Sequence, residues 1–389
     1  MKVIVLGTGM IGNTVVAQLA KSHVIDEVIA VDASQERLDR CLAYVNHPKV
    51  AAMAAVLGDQ QTMTEVLRDA DIAIQCLPHF LSLQATKAAI AAGCHLVDLV
   101  HTDYLQKRAL NEAAKEAGVL VLPGCGVAPG IVNILASRGI DLMDEAEEAV
   151  MICGGIPRHP LPPLWYQLVF SMEGLLDMYQ KSSLAAENGE VVHIPPFSGF
   201  EELTFPEPIG ECEAVITDAS TVPYTLKHKV KRIYEKTVRY KGHWTKIATL
   251  AELGFLSDTP VEVDGVRVSP RSLSAAILRP KMVGATEEDV TVVRVYVNGV
   301  KDGHNKRLEW EMIDMYDSGR NITSMARTTG FPAVILAEWI AQGRLPERGI
   351  LAVEEVVTGE RFYRFLDDLA KEGIHISFKE TENLASANL

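Results

Sequence analysis

Val3-Ile4-Val5-Leu6-Gly7-Thr8-Gly9-Met10-Ile11-Gly12 sets the architecture of this chain. Four apolar residues of strand character run straight into G-x-G-x-x-G, and an Ala/Val/Leu-rich helical stretch follows over residues 14–19. A strand before and a helix after give the motif its meaning. Gly7 permits a tight turn, Gly9 lets backbone approach a pyrophosphate, and Gly12 lets helix and strand pack closely. The first helical N–H groups, from Met10 and Ile11 onward, lack intrahelical partners and suit phosphate. Val28-Ile29-Ala30-Val31 reads as a second strand, with Asp32 at its carboxyl end, 25 residues beyond Gly7. An acid there accepts hydrogen bonds from the adenosine ribose and repels a 2′-phosphate, which favours NAD over NADP. Arg37 is the opposing signal.

Strand and helix patterns alternate as far as residue 124, the signature of a doubly wound α/β sheet. The third strand falls within residues 50–57, the fourth within 70–78, the fifth at 95–98 and the sixth at 119–123. Ligands in such sheets bind beyond the carboxyl ends of the strands. That rule selects Asp32, Asp59, Leu77, Pro78, His79 and Asp98. Beyond a helix at 131–142 the pattern changes. A strand at 149–153 precedes a proline-rich irregular stretch, and strands follow at 230–240, 261–268, 290–297 and 306–315. Asp264-Gly265 and Asp302-Gly303 are hairpin signals. Few of these strands have long crossovers between them, so the second sheet is predicted to be mostly antiparallel. Three segments are expected: a Rossmann domain over 1–124, a substrate-binding and dimerising domain over 125–327, and a tail over 328–389 that returns to the first domain.

The 389 residues carry a net charge of −14, which disfavours nucleic acid and anionic membrane as partners. No apolar run approaches the 18 residues of a spanning helix, and a strand at the N-terminus, with no basic n-region or cleavage site, argues against a signal peptide. The six cysteines are scattered without a C-x-x-C pair, which suits a reducing cytoplasm and suggests no metal site.

Several stretches carry a resemblance. They are Val97-Asp98-Leu99, Pro123-Gly124-Cys125-Gly126-Val127-Ala128-Pro129-Gly130, Gly154-Gly155-Ile156-Pro157, the run from Phe170-Ser171-Met172-Glu173 to Asp177-Met178-Tyr179, and Lys236-Thr237-Val238-Arg239-Tyr240-Lys241-Gly242-His243. Over nearly its whole length the chain resembles the saccharopine dehydrogenase family, and its Glu-Gly-Leu-Leu-Asp segment resembles the lysine 6-dehydrogenase branch. One departure is Val100-His101-Thr102, where the branch has a Gly-Gly pair. The resemblance implies NAD-dependent oxidation of the ε-carbon of L-lysine to 2-aminoadipate 6-semialdehyde and ammonia, with the aldehyde cyclising onto the α-amine. A saccharopine- or carboxynorspermidine-type dehydrogenase is the alternative, and it needs extra cations, for which Arg271, Arg279, Arg294 and Arg327 are available. A nicotinamide-binding regulator without catalysis is a third reading. A homodimer or homotetramer is expected.

The implied chemistry assigns candidate roles. An ε-ammonium, with a free pKa of about 10.4, must lose its proton before hydride can leave, so a base is needed. Asp98, Glu173 and His243 are the candidates. The α-carboxylate calls for an arginine fork, and Arg239 is the choice, with Tyr240, Ser171 and Asp177 as further substrate contacts. Gly126 and Pro129, in the glycine-rich stretch before a helix, are candidates to meet the nicotinamide. Cys125 reads as a packed side chain.

Overall fold

The computed structural model describes residues 1–168, 172–284 and 286–382. The chain divides into two units. Residues 1–138 and 326–375 form the first. Its sheet has seven parallel strands. They run from the short Gly349–Ile350 strand through β6 (Leu120–Pro123), β5 (His95–Asp98), β4 (Ile72–Gln75), β1 (Lys2–Leu6) and β2 (Glu27–Asp32) to β3 (Val50–Ala54). A parallel sheet covered on both faces needs strands that are apolar throughout, and Val3, Ile4, Val5 and Leu6 are all buried. The order reverses between β1 and β4, which is where such sheets open a crevice for a ligand.

The predicted boundaries shift. The glycine-rich stretch and most of the helix Ile131–Asp141 stay with the first unit, and the division falls at Arg138/Gly139 instead of near residue 124. Side-chain contacts explain this. Ser137 Oγ donates to the Glu354 carbonyl at 3.3 Å, and the Arg138 guanidinium lies over the rings of Phe362 and Tyr363. The chain re-enters the first unit at Ala326, while residues 376–382 belong to the second.

The second unit holds a mixed sheet. Its main path runs Glu201–Phe205, Gly210–Thr217, Val230–Tyr240, Glu145–Pro157, Asp289–Lys301, His304–Met315 and Ser377–Glu382. All these neighbours are antiparallel except Val230–Tyr240 with Glu145–Pro157, which run parallel. The hairpin Ser183–Glu187 and Glu190–Ile194 attaches to Val230–Tyr240. Both predicted Asp-Gly turns form, with positive φ at Asp264, Gly265, Asp302 and Gly303. Among the described residues no helix is long and apolar enough to cross a membrane.

Candidate active site

In the first unit the glycine turn is a cradle with one open wall. A Cβ on Gly12 would lie 1.9 Å from the Gly7 carbonyl oxygen, so only glycine permits this helix to start so close to the strand. A Cβ on Gly9 would meet nothing within 4 Å. The protein's own packing does not require a glycine there, and the open space is what a pyrophosphate needs. The helix Met10–Lys21 has no side-chain cap and no acid in its first turn, so its own side chains do not offset the positive end of its dipole there. Met10 is 45% exposed at that end, with Ile11 half-buried beside it.

Asp32 closes the other side of the cradle. Its carboxylate accepts from the Thr8 N–H at 2.9 Å, the Thr8 hydroxyl at 3.1 Å and the Ser34 N–H at 2.9 Å. Burial opposes ionisation, but these hydrogen bonds and the Arg37 guanidinium at 3.8 Å outweigh it and hold the carboxyl below its ordinary range. Asp59 caps the helix Gln60–Leu67 through Thr62, and Leu77 and Pro78 follow β4 at the same edge of the sheet. Gln75, the last residue of β4, is fully buried, yet neither amide atom has a hydrogen-bond partner among the described residues. A native interior rarely leaves such a group unpaired. Together these features fit a dinucleotide.

Two expectations for this unit are corrected. Asp98 does not face a ligand. It is fully buried, accepts from Ser82 Oγ at 2.6 Å, Lys107 Nζ at 2.8 Å and the Val100 N–H at 3.0 Å, and so forms an internal ion pair with an equally buried Lys107. The glycine-rich stretch does not present free N–H groups at Cys125, Gly126 and Gly130. These donate to the Asp98 carbonyl, the Pro129 carbonyl and Asn133 Oδ1. A Cβ on Gly130 would sit 1.8 Å from the Gly126 oxygen, so the stretch is a knot closed on itself. That leaves Gly126 and Pro129 as structural residues of the loop. Burial, followed by the nearby Asp98 charge, pushes the Cys125 thiol well up, so it stays protonated.

The second unit holds a cation that forms no ion pair among the described residues. The strand Val230–Tyr240 sends Ile233, Glu235, Thr237 and Arg239 to one face, because side chains alternate. Arg239 is 1% exposed. Its guanidinium stacks on Tyr166 at 4.5 Å and faces Trp244 at 5.8 Å. Among the described residues its guanidinium donates to the carbonyl of its own neighbour Val238, at 2.7 Å, and Nε has no partner. The acid directly across the strand pair, Glu213, is spent elsewhere. Its carboxylate accepts the Trp244 and Thr245 N–H groups and so caps the helix His243–Glu252. A buried guanidinium without a carboxylate is costly, and this one lies in an aromatic setting that leaves its charge available.

His243 lies against the same aromatics and is corrected as a base. It is fully buried, its Nδ1 is 2.9 Å from the Leu164 carbonyl, and its Nε2 is 2.8 Å from the Tyr179 hydroxyl. A carbonyl only accepts, so Nδ1 carries the proton and Nε2 accepts from Tyr179. Burial, then the Arg239 charge, pushes the imidazole down to about 3. His243 is therefore a neutral strut. Tyr240 is corrected as well. It points to the opposite face, where it joins the Val150, Ile152 and Val238 core and donates to the Pro157 carbonyl at 3.0 Å. Asp177 is held by Arg271 at 2.6 Å and Lys181 at 2.8 Å. Burial raises its carboxyl, but these partners outweigh that and keep it ionised. Ser171 and the side chain of Glu173 lie outside the described residues.

Comparisons with known proteins agree with this architecture. Residues 3–122 match the family model described as saccharopine dehydrogenase NADP binding domain, and residues 126–374 match that of the saccharopine dehydrogenase C-terminal domain. The chain is 22% identical to the saccharopine dehydrogenase (NADP(+), L-glutamate-forming) of Schizosaccharomyces pombe, over 96% of this chain and 98% of that one. It is also 22% identical to the carboxyaminopropylagmatine dehydrogenase of Synechocystis sp., over 91% and 92% of the two chains. The apo saccharopine dehydrogenase (L-Glu forming) of Saccharomyces cerevisiae shares the fold, with a TM-score of 0.81 at 20% identity over 98% of this chain and 99% of that one.

Proposed function

The chain belongs to the saccharopine dehydrogenase family of oxidoreductases that act on amines, and within it we propose that this protein oxidises the ε-amine of L-lysine with NAD. The products are 2-aminoadipate 6-semialdehyde, which cyclises, and ammonia. The observation that carries this reading is Arg239, a buried guanidinium with no carboxylate partner among the described residues, which suits the α-carboxylate of an amino acid. A saccharopine-type substrate brings further carboxylates. Of the four arginines available to meet them, Arg271 and Arg294 are already engaged by Asp177 and Glu311 at 2.6 Å each. Arg239, the cation on which this reading rests, serves a single carboxylate. Incubating the protein with a dinucleotide and a panel of amines, and reading absorbance of the reduced cofactor, tests the proposal.

The nicotinamide supplies a hydride acceptor when bound. The chain's part is to seat the pyrophosphate over Gly9 and the helix start, fix the adenosine ribose at Asp32 and hold the substrate carboxylate at Arg239. The matched family model is described as NADP binding, and the S. pombe relative carries NADP in its name. The ionised carboxylate of Asp32 supports NAD here, because it repels a 2′-phosphate. Asp32→Asn removes that charge, keeps an acceptor for Thr8 and leaves the exposed Arg37 available to a phosphate. The ratio of kcat/KM for NADP over NAD is expected to rise about tenfold or more, the equivalent of roughly 1.4 kcal/mol. A wild type that already prefers NADP would contradict the assignment.

A homo-oligomer is proposed with it. Val261, Val263 and Val266 of an isolated two-stranded hairpin, with Leu273 and Ile277 of the helix Pro270–Leu278, are all about half exposed or more. A lone hairpin is marginal in water, and an apolar surface of this kind suits association. Sedimentation velocity is expected to show a dimer or tetramer, and Val263→Glu combined with Ile277→Glu is expected to shift it toward monomer. A wild-type monomer at micromolar concentration would contradict this. The six free cysteines support a reducing, cytoplasmic location.

A further inference from the structure

The strand that carries Arg239 also carries an acid without a partner. Glu235 lies four residues earlier on the same face, so the two Cα atoms are about 13 Å apart. It is 7% exposed, and among the described residues its carboxylate takes part in no hydrogen bond or ion pair. Its cross-strand neighbours are Thr217 on one side and Met151 on the other. The Thr217 hydroxyl is bonded to Thr237 at 2.8 Å and does not serve the carboxyl. Between the two charged residues the face is lined by Thr237, Thr217 and Cys153, whose thiol feels both Glu235 and Arg239. An unpaired carboxylate inside a protein is expensive unless a cation meets it.

We propose, resting on the amine-oxidising reading above, that Glu235 is the base that receives the proton of the substrate's reacting ammonium, while Arg239 holds the carboxylate at the far end. The six bonds from the carboxylate carbon of lysine to its ε-nitrogen span roughly 7–8 Å, a length the two side chains can bracket. The step balances. Carboxylate and ammonium become carboxylic acid and neutral amine. The nitrogen lone pair then forms C=N as the C–H electron pair leaves as hydride to the nicotinamide, so the ε-carbon is oxidised and the dinucleotide reduced. Water adds to the iminium carbon, and ammonia departs.

The surroundings prepare the acid for this work. Burial, followed by the Asp218 carboxylate, pushes the Glu235 carboxyl up to about 8. Its proton affinity then lies within about 250-fold of a primary ammonium, where an ordinary carboxyl is weaker by about a million-fold. The titratable groups around it are Asp218 after the Gly210–Thr217 strand, Tyr224 beside Asp218, Cys153 on Glu145–Pro157 and Arg239 on its own strand. Tyr234 and Lys236 leave the opposite face.

The test is kcat and kcat/KM from pH 6.5 to 10.5 for wild type, Glu235→Gln and Glu235→Asp, with L-lysine and with saccharopine. Wild-type kcat/KM should climb through a limb near pH 8 as the carboxyl ionises. Glu235→Gln should lose about 10²–10⁴-fold in kcat and lose that limb, while Glu235→Asp keeps the limb at reduced rate. Thermal stability of Glu235→Gln should match or exceed wild type, because an unpaired acid is gone; an acid kept for structure would show the reverse. Glu235→Gln within about threefold of wild type, with the limb intact, overturns the proposal. Wild-type turnover of saccharopine alone refutes the lysine reading, yet a loss in Glu235→Gln on saccharopine still upholds Glu235. A wild type that oxidises neither amine overturns both.

Discussion

Replacing Arg239 by methionine is expected to cut L-lysine oxidation about tenfold to 150-fold, the equivalent of roughly 1.5–3 kcal/mol for a hydrogen bond to a charged partner. Stability is expected to stay level or rise, because an apolar side chain of similar length in place of an unpaired buried charge is neutral or stabilising. Arg239→Lys keeps the charge but loses the fork and the flat stack on Tyr166, so it should fall almost as far. NAD affinity should hardly move, since Gly9 and Asp32 belong to the other unit. Cadaverine, which is lysine without its carboxylate, is the control: a poor substrate for wild type that loses little more in the variants. Equal loss with lysine and cadaverine in a folded Arg239→Met would show that Arg239 does not read the carboxylate.

Lys107→Met is expected to lower unfolding free energy by about 3–5 kcal/mol, since it strands the fully buried Asp98 carboxylate without the cation that pairs with it among the described residues. Removing both charges, as Lys107→Met with Asp98→Asn, should cost much less than the two single changes added together. Scanning calorimetry of the four proteins measures that coupling. Simple additivity, with each single change below about 1 kcal/mol, would mean that the pair contributes little and that Asp98 is held for another purpose.

The parts of the fold that repeat a local signal were legible in the sequence. The strand-turn-helix at residues 3–19, the acid ending β2 and both Asp-Gly turns each rest on neighbours in the chain, and all form. The stretch between residues 157 and 217 did not read well. Its prolines suggested irregular structure, yet four strands lie there. The Asn188-Gly189 turn, with φ of 50° and 84°, was a hairpin signal that prediction passed over. Roles that depend on burial were the hardest. His243, Asp98 and Asp177 have the residue types of a base or a substrate contact, and only the packing shows that each is already engaged. Glu235 lay one residue before a stretch already singled out, and period-two alternation places it with Arg239, but its lack of a partner is a tertiary fact.

L-Lysine labelled with nitrogen-15 at the ε position, incubated with the wild-type protein and NAD at pH 9, follows the reacting nitrogen itself. Oxidation at the ε-carbon predicts one labelled ammonia released for each NADH formed, with the unlabelled α-nitrogen retained in the cyclised product. Unlabelled ammonia, or NADH formed from saccharopine while lysine stays intact, would contradict it.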